Sequence, residues 1–502
     1  MQIALILPRY RLGTWHESLA ESLSGTHDVK VFIDDGMPPY PLPIRTWLGI
    51  ERRLYRQQRG ASSNFSAEAL LPSNKVDGSK FDAVIDLSER PQPRSNVIAI
   101  RYGGSTDSMA LVDRLLGQQT PRLTVSKQGM DGVLGESFPA IDDKFRLSRG
   151  LQLSFGRCIA LIERALDSER VRSASKPAAP TTTSHGLAAF IGRFVTQKMT
   201  NMLVGRLTSV PQWSVALRNT SGPFVPVDSE KQRFYADPFL YAWSGKTFLF
   251  VEDYSDTTKK AVISAAEVAG HRLASAPVPV LERPYHLSYP LVFAEAEDIF
   301  MLPETVGNRS LELYRTVAFP WEWQLESVLI EGMALADATP VFHQNRWWLF
   351  ASMAQHGTTD QDELFIFYSD KLAGPWRPHS ENPVKSDCRS ARPAGRIVRR
   401  GNRLFRPAQD CERAYGSGIV WHEITELSPS RFQETEIARV RPPYDLGLDG
   451  LHHFDQVGEL QAIDVRAIRS FGASRPRERK AMSCLGSGLD RTFQAAVSCN
   501  PL

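Results

Sequence analysis

Asp237, Tyr289, Asp337, Arg392 and His453 recur roughly every 50 residues through the second half of this chain, each beside the entry to a short apolar segment. A second set closes the segments that follow: Glu252 and Asp253, Glu304, Gln409 and Asp410, and Asp464. Carboxylates, a guanidinium, a phenol and an imidazole facing one cavity bind polar ligands and move protons. Sugar chemistry uses such a set. One carboxylic acid protonates the glycosidic oxygen, while an opposed carboxylate serves as base or nucleophile.

Convergence of these residues requires a repeating architecture, and the prolines supply its period. Asp237-Pro238-Phe239, Tyr289-Pro290-Leu291, Thr339-Pro340-Val341 and Arg392-Pro393-Ala394 set their prolines 52, 50 and 53 residues apart. Each triplet precedes a second apolar strand, such as Thr247 to Val251, Asp298 to Leu302, Arg346 to Phe350 and Arg403 to Phe405. Units of this size made of short strands cannot bury their faces alone, and they pack as blades of a β-propeller. Leu451 to Asp455 with Leu460 to Val465 starts a fifth unit that lacks the proline. The predicted architecture is a five-bladed all-β propeller whose inner strands aim polar residues at the axis. Trp213 to Arg218 is a lone strand before the first unit and is expected to close the ring on the last blade.

The first 169 residues read differently. Short buried strands (Ile3 to Leu7, Val29 to Ile33, Ala83 to Leu87, Val97 to Ile100, Leu123 to Val125) alternate with helical stretches (Trp15 to Leu23, Gly156 to Ala165), which predicts an N-terminal α/β Rossmann-like domain on a parallel sheet. Residues 170–186 are rich in Ser, Ala, Pro and Thr and read as a linker. An amphipathic helix and the closing strand fill 187–227, the propeller 228–470, and an Arg-, Ser- and Gly-rich tail expected to be disordered 471–502. At 502 residues with 42% hydrophobic composition, the chain is large enough for two or more cores.

Composition removes several function classes. A net charge of +3 spread over 59 basic and 56 acidic residues gives no case for nucleic acid. Five cysteines without Cys-x-x-Cys spacing suggest neither a disulfide framework nor a zinc site, and no ligand spacing argues for any other metal. The opening Met1 to Pro8 is too short and lacks the basic start of a signal peptide, and no apolar run approaches the roughly 18 residues of a membrane span. The expected location is the cytoplasm; oligomeric state is open.

The segment from Phe234 to Arg466 carries a resemblance. Tyr235-Ala236-Asp237-Pro238-Phe239, Ser288-Tyr289-Pro290, Met301-Leu302-Pro303-Glu304, Asp337-Ala338-Thr339-Pro340-Val341 and Arg392-Pro393-Ala394-Gly395 resemble the propeller at the N-terminus of plant glucosamine inositolphosphorylceramide transferases. That domain is similar to five-bladed furanosidase and xylosidase glycoside hydrolases. By this resemblance Asp237 is the base, Glu304 the acid and Asp337 the residue that tunes them. Here Glu304 precedes Asp337, the reverse of the hydrolase order, and the plant proteins' transferase activity is attributed to a separate C-terminal domain. The N-terminal region resembles a formyltransferase-type Rossmann domain, but Ile100-Arg101-Tyr102-Gly103-Gly104-Ser105 stands where that family has Asn-x-His. A degenerate domain is implied.

The expected function is glycosyl processing in surface-glycan or glycolipid biosynthesis, with Tyr235, Glu252, Asp253, Tyr289, Arg392, Gln409, Asp410 and His453 contacting the sugar. No cofactor is expected beyond a nucleotide sugar as donor. The alternatives are a furanosidase-type hydrolase and a non-catalytic glycan- or nucleotide-sugar-binding module. Of the adjacent His452 and His453, strand alternation lets one reach the axis, and His453 is the choice. His286, His343 and His379 are expected on the surface or in loops. Gly103-Gly104-Ser105 suits either a phosphate-binding turn or an ordinary tight connection.

Overall fold

The computed structural model describes residues 1–55, 71–90, 96–167, 186–204, 212–220, 222–230, 232–467 and 485–487. The chain divides into two compact units, Met1–Asn201 with Gln355–Thr359, and the remainder. The predicted linker lies almost wholly outside the described residues. So does the tail, apart from residues 485–487, where Leu485 is buried in an apolar cluster with Phe405, Trp421 and Phe454.

The first unit is a seven-stranded sheet flanked by helices. Its strands β1 (Gln2–Pro8), β2 (Asp28–Asp34), β3 (Leu71–Pro72), β4 (Ala83–Asp86), β5 (Val97–Tyr102), β6 (Leu123–Lys127) and β7 (Gly135–Ser137) lie in the order β3-β2-β1-β4-β5-β6-β7. Ile3 to Leu7 are fully buried, as a continuous apolar run in a central strand requires. The sheet is mixed: β1 to β5 are parallel, whereas β6 runs against β5 and β7 against β6. The expected all-parallel sheet is thereby corrected at one edge. Leu123 to Val125 carries the same apolar signature in either direction, so direction was not readable from it. Helices α1 (Thr14–Ser24), α2 (Leu42–Leu54), α3 (Met109–Leu116), α4 (Leu147–Asp167) and α5 (Leu187–Val204) complete the unit, the division falling inside the last turn of α5.

Gly103 and Gly104 both take positive φ at the turn after β5. The donors at the start of α3 are already bound by the chain's own carboxylates: Ser108 N donates to Glu89 and Met109 N to Asp107. This turn works as a tight strand-to-helix connection.

The second unit is a five-bladed propeller. Strands β8 (Gln212–Asn219) and β9 (Val225–Pro226) precede the first blade, which comprises β10 (Arg233–Trp243), β11 (Lys246–Ser255), β12 (Lys260–Ala269), β13 (Arg272–Leu273) and β14 (Val278–Leu281). The second holds β15 (Ser288–Glu295), β16 (Asp298–Glu304), β17 (Ser310–Ala318) and β18 (Glu322–Glu331); the third holds β19 (Ala336–His343), β20 (Arg346–Ser352), β21 (Glu363–Ser369), β22 (Arg377–Pro378) and β23 (Lys385–Ser386). The fourth is β24 (Val398–Arg400), β25 (Arg403–Gln409), β26 (Ile419–Ser428) and β27 (Arg431–Val440). The last combines β28 (Leu448–Gly450), β29 (Phe454–Val457) and β30 (Leu460–Ala467) with β8 and β9. Asn219 to Gln212 pair antiparallel with Leu460 to Ala467, so the lone early strand closes the ring.

One hub ties the blades together. The Arg396 guanidinium donates to Val292 O at 3.0 Å and Leu240 O at 3.4 Å and pairs with Asp455, whose Oδ2 accepts from Leu240 N at 2.8 Å. A single side chain of the fourth blade thus binds the first, second and fifth. Beside it Gly395, at φ +126°, passes so close to the fifth blade that a Cβ would meet Phe454 O at 2.0 Å. Only glycine fits there.

Candidate functional site

A bulge shared by three blades positions the axial residues. Pairing skips two residues between Ala236 and Phe239, between Ser288 and Leu291, and between Ala336 and Thr339. The first residue of each bulge, Asp237, Tyr289 and Asp337, takes φ of +48°, +48° and +51°. Bulges re-aim side chains, and here they turn these three toward the centre. The true structural repeat is therefore Asp237, Tyr289 and Asp337, spaced 52 and 48 residues apart. Pro340 lies outside the bulge, two places beyond the position that Pro238 and Pro290 occupy.

Each bulge is held by a carboxylate. Asp237 N donates to Asp464 Oδ2 at 3.1 Å, Tyr289 N to Asp237 Oδ2 at 3.2 Å, and Asp337 N to Glu304 Oε2 at 3.0 Å. These acids thus help set the backbone that aims them. Tyr289 is fully buried. Its hydroxyl accepts from Gly395 N at 2.9 Å and meets Thr339 Oγ1 at 2.8 Å, and Thr339 donates in turn to Asp337 O. The ring floors the site.

Arg392 organises one wall. Its Nε and Nη2 grip Asp337 at 2.6 and 3.3 Å, Nη1 lies 2.8 Å from Asp360, Nη2 lies 3.7 Å from Glu304, and the group sits over the Tyr415 ring. Gln409 Nε2 adds a hydrogen bond to Asp337 Oδ2 at 3.0 Å. On the opposite side His452 Nε2 and His453 Nδ1 approach Asp237 Oδ1 to 3.4 and 3.6 Å, and His452 Nδ1 lies 2.7 Å from Asp464. Burial favours the neutral Asp237 carboxyl, but His453, His452 and Arg392 outweigh it and hold the group down at about 2. Glu304 behaves in the opposite way, because burial pushes it up more than Arg392 pulls it down. Glu252 is likewise raised by burial, against the hydrogen bond from His286, whose Nε2 lies 3.2 Å away.

Exposure separates floor from mouth. Asp237, Asp337, His452 and His453 are nearly sealed, whereas side-chain exposure rises to 12% at Glu252, 14% at Glu304, 35% at Asp360 and 41% at His286. An ionised acid at the floor and two carboxyls biased toward the protonated form nearer solvent can take and give protons across a bound ligand.

Of the predicted residues, the fold brings together Asp237, Glu252, Tyr289, Glu304, Asp337, Arg392, Gln409 and His453. Three others are placed elsewhere. Asp253 forks with Arg233 and accepts from Ser264; Asp410 pairs with Arg439 and Arg441; and Tyr235 packs among Val215, Leu217 and Leu240. Alternation explains Asp253, since its neighbour Glu252 takes the inward position on β11.

Strand alternation conceals His452, and nothing in the spacing marks Asp360, Tyr415 or the partnership of His286 with Glu252. Both histidines reach Asp237 because they precede β29 rather than lie within a strand, so alternation does not apply to them. Asp237, His452 and Asp464 also group their ligand-type atoms within 4.8 Å, the one such metal-capable cluster among the described residues. His452 carries a pH signature. Burial alone would lower it, but Asp464 and Asp237 outweigh this and raise it. A base raised on folding stabilises fully below its unfolded value, about 6.5, and that stability is lost as pH rises through the folded value. The melting difference between the wild type and His452→Gln should accordingly shrink as pH is raised above neutrality.

The second unit is thus a five-bladed propeller whose axis is lined by carboxylates from several blades. Residues 209–443 match the family described as glucosamine inositolphosphorylceramide transferase 1, N-terminal; the match ends before the fifth blade's inner strands. The glucosamine inositolphosphorylceramide transferase 1 of Oryza sativa subsp. japonica is 36% identical over 220 residues, 43% of this chain and 28% of that protein. The Arabidopsis thaliana counterpart is 36% identical over 208 residues, 41% of this chain and 27% of that protein. The alignments thus span little more than a quarter of the curated relatives' length. Among solved structures, a family 117 glycoside hydrolase of Zobellia galactanivorans aligns over 54% of this chain and 97% of its own, at 10% identity and a TM-score of 0.37. An exo-β-1,3-galactanase from Clostridium thermocellum aligns over 42% and 52%, at 12% identity and a TM-score of 0.33.

Proposed function

We propose that the propeller binds a sugar at its axis and processes glycosyl groups in surface-glycan or glycolipid biosynthesis in the cytoplasm, with a nucleotide sugar as donor. The observation that carries this reading is geometric: Asp237 and Glu304, each accepting from the bulge of the next blade, converge with Arg392 and two histidines at the axis. The similarity of residues 209–443 to the N-terminal part of a named glycosyl transferase supports the substrate class.

In this reading an acceptor hydroxyl sits over Asp237. As its oxygen bonds to the anomeric carbon, its proton passes to the carboxylate, and the bond from that carbon to the departing oxygen breaks. Glu304 gives its proton to a departing alkoxide; a departing nucleoside diphosphate needs none. Arg392, held by Asp337 and Asp360, offsets the negative charge of that wall and orients the carboxyls. Water in place of the acceptor would make the same steps a hydrolysis, and the swapped order of Glu304 and Asp337 does not discriminate between them.

Nucleotide sugars and aryl glycosides offered with and without acceptor separate transfer, hydrolysis and binding alone. Glu304→Gln should slow substrates with poor leaving groups by about 10²–10⁴-fold while sparing activated aryl leaving groups, which need no proton. Equal losses on both kinds of substrate would remove Glu304 from the acid role. Ligand binding without turnover in the wild type would leave the binding module as the reading.

A further inference from the structure

Helices α2 and α5 share one face of the first unit. Trp47 of α2 meets Phe190 and Phe194 of α5 edge-on, with ring centroids 6.3 and 5.4 Å apart, and Lys198 Nζ of α5 lies 5.3 Å from the Tyr55 ring just past the end of α2. With that seam buried, both helices still point large aliphatic side chains at solvent: Leu42, Ile50 and Leu54 on α2, and Val195 and Met199 on α5. Ile50 and Leu54 stand one helical turn apart, as do Val195 and Met199, and Met202 extends the second stripe. A helix with one apolar face packed and another exposed has a partner still to meet.

Charge says what kind of partner. Arg45, Arg52, Arg53 and Lys198 are exposed on these two helices. Their one acidic residue, Glu51, is fully buried, and its carboxylate accepts from Trp47 Nε1, Leu147 N and Ser148 N at 2.7, 2.9 and 2.7 Å. The surrounding sequence repeats the bias: residues 170–227 contain seven Lys and Arg and no Asp or Glu. Exposed aliphatic side chains interleaved with cations that pair with no carboxylate among the described residues fit the boundary between anionic headgroups and acyl chains.

We infer that this face of α2 and α5 docks the protein peripherally on an anionic phospholipid surface. Leu42, Ile50, Leu54, Val195 and Met199 enter the acyl boundary, while Arg45, Arg52, Arg53 and Lys198 pair with headgroup anions. A second copy is a poorer occupant, because two-fold pairing would set these cations against themselves. None of the axial residues takes part, so the docking stands or falls separately from the sugar site.

Flotation of the full chain with vesicles of phosphatidylcholine alone, or of phosphatidylcholine mixed with phosphatidylserine, tests this directly. Capture is expected on the mixed vesicles and should weaken at high salt. It should fall about tenfold or more in Arg52→Glu/Arg53→Glu and in Val195→Ser/Met199→Ser, and persist in Lys30→Glu, a charge reversal on the exposed side of β2. Melting curves identify any variant that fails to fold, and the other double variant then carries the test. No capture on phosphatidylserine, equal capture on neutral vesicles, or undiminished capture by the folded variants overturns the inference. So does a self-association in the ultracentrifuge that Val195→Ser/Met199→Ser abolishes, because it assigns the face to a second copy.

Discussion

Asp237→Asn should bind sugar nearly as well as the wild type and lose turnover by about 10²–10⁴-fold, the contribution of a positioned proton acceptor. Asparagine has the same shape, and its carbonyl oxygen can still accept from Tyr289 N, so the second blade's bulge keeps its support. What disappears is basicity. In the wild type His453, His452 and Arg392 outweigh burial and hold the carboxylate ionised down to about pH 2, so at neutral pH it stands in the acceptor form, as a weak base whose effect comes from its position. Comparison of kcat with a directly measured ligand Kd checks this. A fall in affinity with kcat unchanged would make Asp237 a binding residue, and the proposed acid/base assignment would fail with it.

The second large effect is on stability. Arg392→Ala removes a buried cation that pairs with Asp337 at 2.6 Å and Asp360 at 2.8 Å and leans toward Glu304 at 3.7 Å. Asp337 is then left deep in the propeller with Gln409 as its remaining side-chain partner. Burial pushes the Asp337 carboxyl well up and Arg392 opposes that push, so breaking this buried pair from one side costs about 3–5 kcal/mol as the stranded carboxyl is tolerated or protonated. Chemical denaturation of the propeller transition should show that loss. Arg392→Ala/Asp337→Ala should recover part of it, since the double variant strands no carboxylate at that position. A single variant as stable as the wild type would mean that the wall is solvated and that the ion pairs contribute little.

Both predictions rest on geometry that the chain only partly announces. The repeat of about 50 residues was legible because every blade must solve the same packing problem, and the closing strand because Trp213 to Arg218 had no other unit to join. The bulge was not legible. It exists because the backbone at Asp237, Tyr289 and Asp337 adopts positive φ, supported by side chains from neighbouring strands such as Asp464 and Glu304. Proline marked it in two blades and misled in the third, where Pro340 falls beyond the bulge.

Residue types and their recurrence were enough to establish blades, an axis and a polar centre, because these follow from local strand periodicity and the need to bury apolar faces. Which polar residues face one another was decided by tertiary structure. Asp253 and Asp410 are carboxylic acids like Glu252 and Asp237, yet they pair with Arg233, Arg439 and Arg441. His452, passed over on alternation, reaches Asp237 because it precedes a strand rather than lying in one. Ionisation followed the same division. Asp237 and Glu304 are both carboxylic acids in the sequence, and only the placement of two imidazoles and a guanidinium around a buried axis drives one down and leaves the other raised.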